Sequence, residues 1–402
     1  MITALAVGVK NTKSAVGKVE VIDVNNFRGR EVKYLVPLIK TSLMEVVKLK
    51  QLIINPGSTS TKIAVFDGET VMFEETLRHT VEELAPYEKV IDEFEFRKDI
   101  IVKTLKENNL AIETLSAVVG RGGLLKSIAG GTYEINNRML SDLRTGLQGQ
   151  HASNLGAILA NEIAKTVNIP SFIVDPVVVD EMEPLARLTG HPKFERKSIF
   201  HALNQKAVGR KAAEKLGKPY HEVNMIIAHL GGGISVGAHK KGKVIDVNNA
   251  LDGEGPYSPE RSGTLPTGDM AKLSFSGKTT LEEVKKMIKG NGGLTAYLGT
   301  NSAKIVSEMC SEGDQNARLI YEGMAYQTAK EIAANSAVLE GCVDAVIITG
   351  GIAYDSTFVS WIEKRVKFIA PVMVFPGEDE LRALAEGGLR VLKGEEEAKI
   401  YE

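Results

Sequence analysis

Cysteine and tryptophan are scarce in this sequence, which has two cysteines and one tryptophan among 402 residues. Cys310 and Cys342 lie far apart and lack the spacing of a zinc site or a redox pair, so we expect neither and favour a reducing cytoplasm. No apolar run approaches the length needed to cross a bilayer, and no basic segment precedes the apolar N-terminus. We therefore expect no membrane span and no signal peptide.

No single sign of charge dominates either. The 49 basic and 51 acidic residues nearly cancel, so we expect no strong field that recruits nucleic acid or a membrane. The sequence also lacks the motifs of P-loop enzymes, dinucleotide-binding enzymes, zincins and hydrolases with a nucleophile elbow, so these are not first choices. With 43% hydrophobic residues, the chain has the composition of a globular enzyme and room for two domains.

Residues 51–67 hold the stretch on which the prediction of function depends. Two short apolar runs that predict buried strands, Leu52–Ile54 and Lys62–Phe66, flank a turn with four consecutive hydroxyl residues, Ser58–Thr61. Such a turn offers hydroxyls and backbone N–H groups from one small volume, and both suit phosphate oxygens. An ordinary hairpin is the alternative, because Pro56-Gly57 is a common turn dipeptide.

The same pattern recurs in residues 225–244, which predict a buried strand, a glycine-rich turn, a second strand and a hairpin glycine. Gly57 corresponds to Gly231, and Gly68 corresponds to Gly242 at the same offset. We therefore expect two similar lobes, each beginning with a strand, a phosphate-sized loop and a second strand. A nucleotide would lie between the two loops.

Alternating helical and strand patterns predict the α/β class. We predict a first lobe over residues 49–178 plus 380–402, which carries the first phosphate loop and the acid substrate, and a nucleotide-binding second lobe over residues 179–379. Residues 1–48 are an N-terminal extension of unknown role. Either Met44 is the natural start and a translated extension precedes it, or these residues form an extra layer.

The carboxyl ends of strands are where ligands bind in α/β sheets. Four predicted strands end in polar or glycine residues, at Asn55, Arg121, Asp175 and Thr349. The long irregular segment 252–267 surrounds Arg261, and loops of this length in a compact enzyme are usually functional or mobile. These positions are the first candidates for a site.

Five motifs in order carry a family resemblance. They are Ile54–Lys62, Ile199–His201, His229–Gly233, Glu260–Gly263 and Ile348–Ile352. On these motifs, the chain from about residue 49 onward resembles the acetokinase family of the actin-like ATPase superfamily. The resemblance implies duplicated ribonuclease-H-like lobes, each a mixed β-sheet flanked by helices, with the active site in the interlobe cleft. Pro56 and Gly232 resemble the butyrate rather than the acetate kinases of the family.

The resemblance implies transfer of a phosphoryl group from ATP to the carboxylate of butyrate or a related short- or branched-chain acid, with ADP as the other product. The transfer would be reversible, direct and in line, and it would require Mg²⁺. Acetate, propionate or isobutyrate is the alternative acid, and a sugar kinase of the same architecture is a further option. An actin- or chaperone-like ATPase acting on a protein partner is the rival from another class. Arg121 with Arg261 favours an acid kinase, because a pure ATPase needs no such pair. Family members form dimers or larger assemblies, so we expect a homo-oligomer.

The resemblance assigns catalytic roles to five residues, namely Arg121, Arg261, His201, Asp175 and Asn55. A planar guanidinium suits carboxylate and phosphoryl oxygens, and the histidine would hydrogen-bond the phosphoryl group. Each charged residue has a structural alternative when the resemblance is set aside. Arg121 could be salt-bridged in a turn, Arg261 could lie on a surface loop, His201 could be a structural helix residue, and Asp175 could cap a helix.

The remaining assignments concern the metal, the nucleotide and the acid. The resemblance places metal binding among Asp175, Glu378, Asp379 and Glu380, although a solvated helix N-terminus is the alternative for the acidic run 378–380. Nucleotide and phosphate contacts are expected from Ser58, Ser60, Lys62, His229, Gly231, Gly232, Gly233, Gly350, Gly351, Ile352 and Ala353. The acid pocket is expected at Gly122, Gly123 and Phe200, where the absence of side chains on the glycines would widen the pocket beyond what acetate needs.

Overall fold

The computed structural model describes residues 9–13, 18–22 and 49–402 of the chain. The chain divides into two compact units, residues 1–49 and 50–402. In the first unit, strands β1 (Val9–Lys13) and β2 (Lys18–Ile22) pair in antiparallel fashion. The proposed start at Met44 lies outside the described residues. All further description concerns the second unit.

A seven-stranded mixed sheet forms the first half of the second unit. Its strands are β3 (Lys50–Pro56), β4 (Ser60–Asp67), β5 (Thr70–Arg78), β6 (Ala117–Gly120), β7 (Thr132–Glu134), β8 (Ser171–Val174) and β14 (Lys399–Ile400). The strand order is β14-β7-β8-β6-β3-β4-β5, in which β3, β6 and β8 run parallel. The carboxyl ends of these three strands therefore meet at one edge.

A five-stranded mixed sheet forms the second half. Its strands are β9 (Asn224–Leu230), β10 (Ile234–Lys240), β11 (Lys243–Val247), β12 (Ala345–Gly350) and β13 (Val372–Pro376), in the order β11-β10-β9-β12-β13. Strands β9, β12 and β13 run parallel. This arrangement repeats the run β5-β4-β3-β6-β8 of the first sheet, since both consist of an antiparallel meander extended by two parallel strands.

The equivalent hairpins of the two sheets also share a turn glycine. Gly68 joins β4 to β5 with φ of 59°, and Gly242 joins β10 to β11 with φ of 82°. This left-handed backbone favours glycine, which explains why the residue recurs. The prediction of a duplicated α/β fold with two mixed sheets flanked by helices is confirmed. The lobe boundaries at 178/179 and 379/380 stay a prediction.

Helices cover the faces of both sheets. In residues 49–402 they are α1 (Val81–Leu84), α2 (Phe94–Glu107), α3 (Asn137–Thr145), α4 (Asn154–Thr166), α5 (Pro184–Arg187), α6 (Ala202–Lys215), α7 (Thr267–Ser274), α8 (Leu281–Ile288), α9 (Gly293–Leu298), α10 (Ala303–Ser311), α11 (Gln315–Val338), α12 (Ser356–Val366) and α13 (Glu380–Leu392). Among the described residues, no helix has the length and apolarity that a membrane span requires.

Burial on both faces explains the continuous apolar strands. Helix α4 packs on β6 and β8, and α13 packs on the same sheet and contacts β3. In the second sheet, α6 packs on β9 and β12 while α11 packs on β10. Helix α13 also contacts α6, so these two helices join the halves that carry the two phosphate-sized loops.

The backbones of α4 and β6 approach closely where β6 ends. Gly120 in β6 faces Gly156 in α4, and a Cβ on Gly156 would overlap the carbonyl oxygen of Arg121 and lie 2.9 Å from its amide nitrogen. The absence of a side chain at Gly156 therefore sets where Arg121 leaves the sheet.

We predict that Gly156→Ala lowers the free energy of unfolding by about 1–3 kcal/mol, because the added methyl group displaces the Arg121 backbone or the helix. Gly190→Ala is the matched control, since a Cβ there meets nothing within 4 Å, and it should change stability by less than about 0.5 kcal/mol. Urea unfolding measures both variants, and equal stability of the two would contradict the packing argument.

Candidate active site

A cavity of about 360 Å³ lies where the two sheets present the ends of their strands. Eleven of its lining residues carry predicted roles, and nine of them are Arg121, Asp175, Phe200, His201, His229, Gly231, Gly232, Gly233 and Arg261. Glu378 and Glu380 of the predicted metal group also line it. The fold therefore brings together residues that are far apart in the chain, drawn from both halves.

Glu380, the first residue of α13, is the centre of the polar network in this cavity. Its carboxylate accepts a hydrogen bond from Asn55 Nδ2 at 2.6 Å and one from His201 Nε2 at 3.2 Å, and it forms an ion pair with Arg121. Arg121 also donates to Asn55 Oδ1 at 3.4 Å. One carboxylate thus connects the ends of β3 and β6 with the start of α6.

The charges of this network hold one another in place. Burial alone would raise the pKa of Glu380, but the hydrogen bond from His201 and the charge of Arg121 hold that pKa well below its usual range. Burial alone would lower the pKa of His201, but its hydrogen bonds to Glu378 and Glu380 raise it. Both carboxylates are therefore ionised at neutral pH, since the hydrogen bond from His201 also lowers the pKa of Glu378.

His229 at the end of β9 is a neutral imidazole with an assigned tautomer. Asn204 Nδ2 points to the Gly377 carbonyl oxygen at 3.5 Å, which leaves Asn204 Oδ1 to accept the proton of His229 Nδ1 at 2.8 Å. The opposite ring nitrogen, Nε2, therefore carries a lone pair and lies 3.6 Å from Glu378 Oε2. Burial and the nearby charge of His201 lower the pKa of His229 to about 3.

Arg261 is a partly buried cation that forms no ion pair in residues 49–402. Its guanidinium donates to the Ala250 carbonyl oxygen at 2.7 Å, while Nε is buried and has no hydrogen-bond partner. Within residues 49–402, no carboxylate forms an ion pair with it. Gly233 allows this position, because a Cβ there would overlap the guanidinium. An arginine stays charged when burial lowers its pKa, so this side chain is suited to bind an anion.

Asp175, which follows β8, is only 2% exposed and adopts φ of 38°. Its Oδ1 accepts from the Gly131 amide at 2.7 Å, and its Oδ2 pairs with Arg210 at 3.2 Å. These contacts differ from those of a helix cap, which was the structural alternative for this residue. Both oxygens already have partners, so an effect of this carboxylate on a metal would pass through water.

Arg97 of α2 holds the first phosphate loop, and the sequence analysis missed it. This fully buried side chain donates to the carbonyl oxygens of Gly57 at 2.9 Å, Ser58 at 3.0 Å and Ser60 at 3.1 Å. It also donates to Thr61 Oγ1 at 3.0 Å and pairs with Glu93 at 2.6 Å. A signal was present, because Arg97 occupies the same helical stripe as the buried Ile101 and Leu105.

The hydroxyl residues of this loop lie apart from the cavity wall. Ser58 and Lys62 are exposed, and Ser60 is partly exposed. Asn55 reaches the cavity through its bond to Glu380. Arg97 binds the carbonyl oxygens of the loop and the Thr61 hydroxyl, while the Ser58 and Ser60 side chains keep access to solvent. The nucleotide and phosphate roles of these residues stay predictions.

The second nucleotide segment adjoins the glycine loop. A Cβ on Gly350, which has φ of 91°, would lie 2.7 Å from the Leu230 amide nitrogen, so the ends of β12 and β9 touch. Gly351 is exposed, with nothing within 4 Å of a Cβ, and it begins a 3₁₀ turn that buries Ile352 and Ala353. An open glycine beside Gly231–Gly233 is compatible with a nucleotide, and this assignment also stays a prediction.

Gly122, Gly123 and Asp379 are among the predicted residues that lie outside the cavity lining. A Cβ on Gly122 would lie 2.5 Å from Pro176 Cβ, and one on Gly123 would lie 2.5 Å from Asn154 Oδ1. Neighbouring residues therefore fill the space that these glycines leave, and the wall is formed by Pro176 rather than by an enlarged pocket. Asp379 caps α13 and pairs with Arg382 at 3.1 Å, which uses its carboxylate away from the cavity.

Comparisons with known proteins agree with this geometry. The acetokinase family model matches residues 192–375. Butyrate kinase 2 of Clostridium acetobutylicum is 58% identical over 355 residues, which cover 88% of this chain and 100% of that protein. Butyrate kinase 1 of the same organism is 59% identical over 350 residues, covering 87% of this chain and 99% of that protein.

Solved structures share the fold. Acetate kinase from Porphyromonas gingivalis has a TM-score of 0.70 at 19% identity and covers 86% of this chain and 100% of its own. A propionate kinase from Francisella tularensis has a TM-score of 0.64 at 20% identity, with coverages of 84% and 98%. The predicted fold and family resemblance are confirmed.

We predict that Arg97→Met destabilises the protein by about 3–5 kcal/mol, because it leaves Glu93 buried without a partner. Arg97→Lys keeps the charge but not the planar set of donors, so it should fold and still lose at least tenfold in phosphoryl-transfer rate. Urea unfolding and initial rates test this, with the exposed Arg318→Met as the control. Wild-type rates in a folded Arg97→Lys protein would show that the loop does not depend on Arg97.

Proposed function

Since this chain belongs to the acetokinase family, we propose that it transfers the γ-phosphoryl group of ATP to the carboxylate of butyrate or of a related short- or branched-chain acid. The reaction is reversible and proceeds by direct in-line transfer, with no covalent intermediate on the protein. High identity to butyrate kinases over nearly their whole length supports this activity. The acceptor carboxylate and the phosphoryl group would meet in the cavity that Arg121 and Arg261 line.

The observation that carries the proposal is the Arg261 guanidinium, which lines the cavity, forms no ion pair in residues 49–402 and has a buried Nε without a hydrogen-bond partner. A partly desolvated guanidinium of this kind favours binding of an anion. Arg121 differs, since it is paired with Glu380. An acyl carboxylate and a phosphoryl group together supply the anionic oxygens that these two guanidinium groups can bind in planar fashion. An arginine that forms no ion pair thus supports a site that binds anionic substrates.

The transfer step depends on the polar network around Glu380. His201 Nε2 donates to Glu378 at 2.9 Å and to Glu380 at 3.2 Å. An oxygen of a phosphoryl group entering the cavity would accept the hydrogen bond from His201 Nε2 in place of a carboxylate oxygen. Asn55 Nδ2 and Arg121, which now bind Glu380, would likewise donate hydrogen bonds to the phosphoryl oxygens. Donors already aimed into the cavity stabilise the developing charge with little reorganisation.

Glu378 and Glu380 would hold the Mg²⁺ ion. Mg²⁺ keeps several waters and takes one or two carboxylates together with substrate phosphates, and these two ionised carboxylates line the same cavity. This oxygen donor set fits the ion, and Asp175 would act on its water shell. When bound, Mg²⁺ would neutralise charge on the transferring phosphate.

The nucleotide phosphates would lie against the glycine loop Gly231–Gly233, with the adenosine along Gly350–Ala353. The absence of side chains allows close approach of phosphates to backbone N–H groups. Ser58, Ser60 and Lys62 would meet the transferred phosphoryl group and its metal from the opposite loop. The glycine loop would therefore bind the nucleotide, and the hydroxyl loop would bind the transferred phosphoryl group.

An apolar wall supports butyrate over acetate. Val174, Pro176, Val177, Ile199 and Phe200 line the cavity beside Arg121. A longer acyl chain gains about 0.8 kcal/mol for each methylene buried against such a surface. Phe200, only 4% exposed, keeps its predicted pocket role, while the contribution of Gly122 and Gly123 would be indirect, through the position of Pro176.

We also propose a cytoplasmic homo-oligomer. The free thiols of Cys310 and Cys342 suit a reducing compartment. Large apolar side chains are exposed on and between the helices of the second half, including Phe275, Leu281, Tyr297 and Leu319. These side chains support an interface there.

We predict that Arg121→Ala and Arg261→Ala each reduce acyl phosphate formation by a hundredfold or more, because each removes a group that stabilises transferring charge. Hydroxamate trapping measures the product, and thermal unfolding checks that the variants fold. The exposed Arg318→Ala is the control and should keep wild-type rates. Near-wild-type turnover of a folded Arg261→Ala protein would overturn the proposed function.

We further predict that kcat/KM for butyrate exceeds that for acetate by about tenfold or more, from the two extra methylenes. Steady-state kinetics with MgATP over linear and branched acids measures this. ATP consumption should depend on added acid. Equal hydrolysis without any acid would favour an ATPase that acts on a protein partner, and a preference for acetate would contradict the role of the apolar wall.

A further inference from the structure

His201, His229 and Glu378 form a cluster whose possible ligand atoms all lie within 4.8 Å of one another. We propose that these three side chains bind a borderline-soft divalent metal ion of the Zn²⁺ type, and that this ion inhibits the enzyme by occupying the transfer cavity. This site is distinct in its ligands from the oxygen set that suits Mg²⁺. Glu378 belongs to both sets, so the two ions would compete.

The first argument is the orientation of two ligand atoms. His229 Nδ1 is hydrogen-bonded to Asn204 Oδ1 at 2.8 Å, and the opposite ring nitrogen, Nε2, lies 3.6 Å from Glu378 Oε2. A metal ion placed between these two atoms would bind both at once. Orientation of a ligating imidazole through a hydrogen bond at its other nitrogen is the usual arrangement in metal sites.

The second argument is geometric. Zn²⁺ binds nitrogen and oxygen ligands at about 2.0–2.2 Å, so two ligands at a tetrahedral angle lie about 3.3–3.6 Å apart. The observed separations from Glu378 Oε2 are 2.9 Å to His201 Nε2 and 3.6 Å to His229 Nε2. Small rotations of Glu378, which is 44% exposed at its side chain, would adjust both of these separations. The three possible ligand atoms, the two imidazole nitrogens included, lie within 4.8 Å of one another.

Ligand chemistry selects the class of metal. Two imidazoles and one carboxylate suit Zn²⁺ and similar transition ions, whereas Mg²⁺ prefers oxygen ligands and retains its water. Three protein ligands leave a fourth position open towards the cavity, where a phosphate oxygen or water would bind.

Binding has a definable cost at His201. This ring must place its lone pair on Nε2 and its proton on Nδ1, which ends the hydrogen bond that Nδ1 accepts from the Asn204 backbone amide. That bond is 3.4 Å long, near the outer limit for a hydrogen bond, but the new Nδ1 proton would face the amide proton, so the ring must also turn away from it. Any second proton on the ring passes to solvent. The His201 bonds to Glu378 and Glu380 are also lost, while the Glu380 ion pair with Arg121 stays intact.

Metal binding can be tested without ATP or acid, so the result does not depend on the proposed function. The full chain, stripped with a chelator, is titrated with Co²⁺ and followed by its visible absorption, and then with Zn²⁺ by calorimetry. We expect one ion per chain, a tetrahedral Co²⁺ spectrum, and displacement of Co²⁺ by Zn²⁺. No binding, or an octahedral spectrum, would overturn the proposal.

Variants locate the site. His229→Gln and Glu378→Gln should each weaken Zn²⁺ binding by a hundredfold or more, and Asn204→Ala should weaken it about tenfold to a hundredfold by freeing the imidazole. His221→Gln is the matched control, because His221 pairs with Glu222 at 3.9 Å on the exposed surface. Glu378→Gln changes a partly exposed side chain, so it keeps the test usable if His229→Gln fails to fold. Unchanged affinity in folded Glu378→Gln, or loss in His221→Gln, would refute the assigned ligands.

Discussion

The carboxylate of Glu380 is the interaction on which the arrangement of the site depends. It is the first residue of α13, and it binds Asn55 from the end of β3, Arg121 from the end of β6 and His201 from the start of α6. These elements belong to both halves of the protein. Burial makes the free carboxylate costly, so its three partners are bound to it strongly, and a change in any one of them alters the charge that the other two experience.

The duplicated fold produces two loops with different chemistry. The first loop carries hydroxyl groups, and Arg97 stabilises it by donating hydrogen bonds to its carbonyl oxygens. The second loop has three successive glycines, and the missing side chain of Gly233 leaves room for the Arg261 guanidinium. The same strand–loop–strand unit thus provides hydroxyl groups in the first half of the protein and an exposed glycine backbone in the second half. The glycine loop and the Glu380 network line the cavity.

The fold was largely predictable because it follows from local patterns. Strands with continuous apolar runs, such as Leu52–Ile54, must be buried on both faces, and the repeated hairpin glycines marked the duplication. Helix α12 has a local signal too, because its buried Phe358, Val359, Ile362 and Val366 follow helical spacing. The caps of α6 and α13 are His201 and Asp379, which precede the first helical residue.

Taken alone, the sequence determined the class of the fold, the two phosphate-sized loops and the residue types of the site, since motifs and periodicity are properties of neighbouring residues. Tertiary structure decided which partners those residues have. Arg261 forms no ion pair in residues 49–402 while Arg121 is paired, Asp379 binds Arg382 while Glu378 and Glu380 face the cavity, and Pro176 fills the space beside Gly122. These differences depend on how the folded chain packs in three dimensions, and no local pattern encodes that packing.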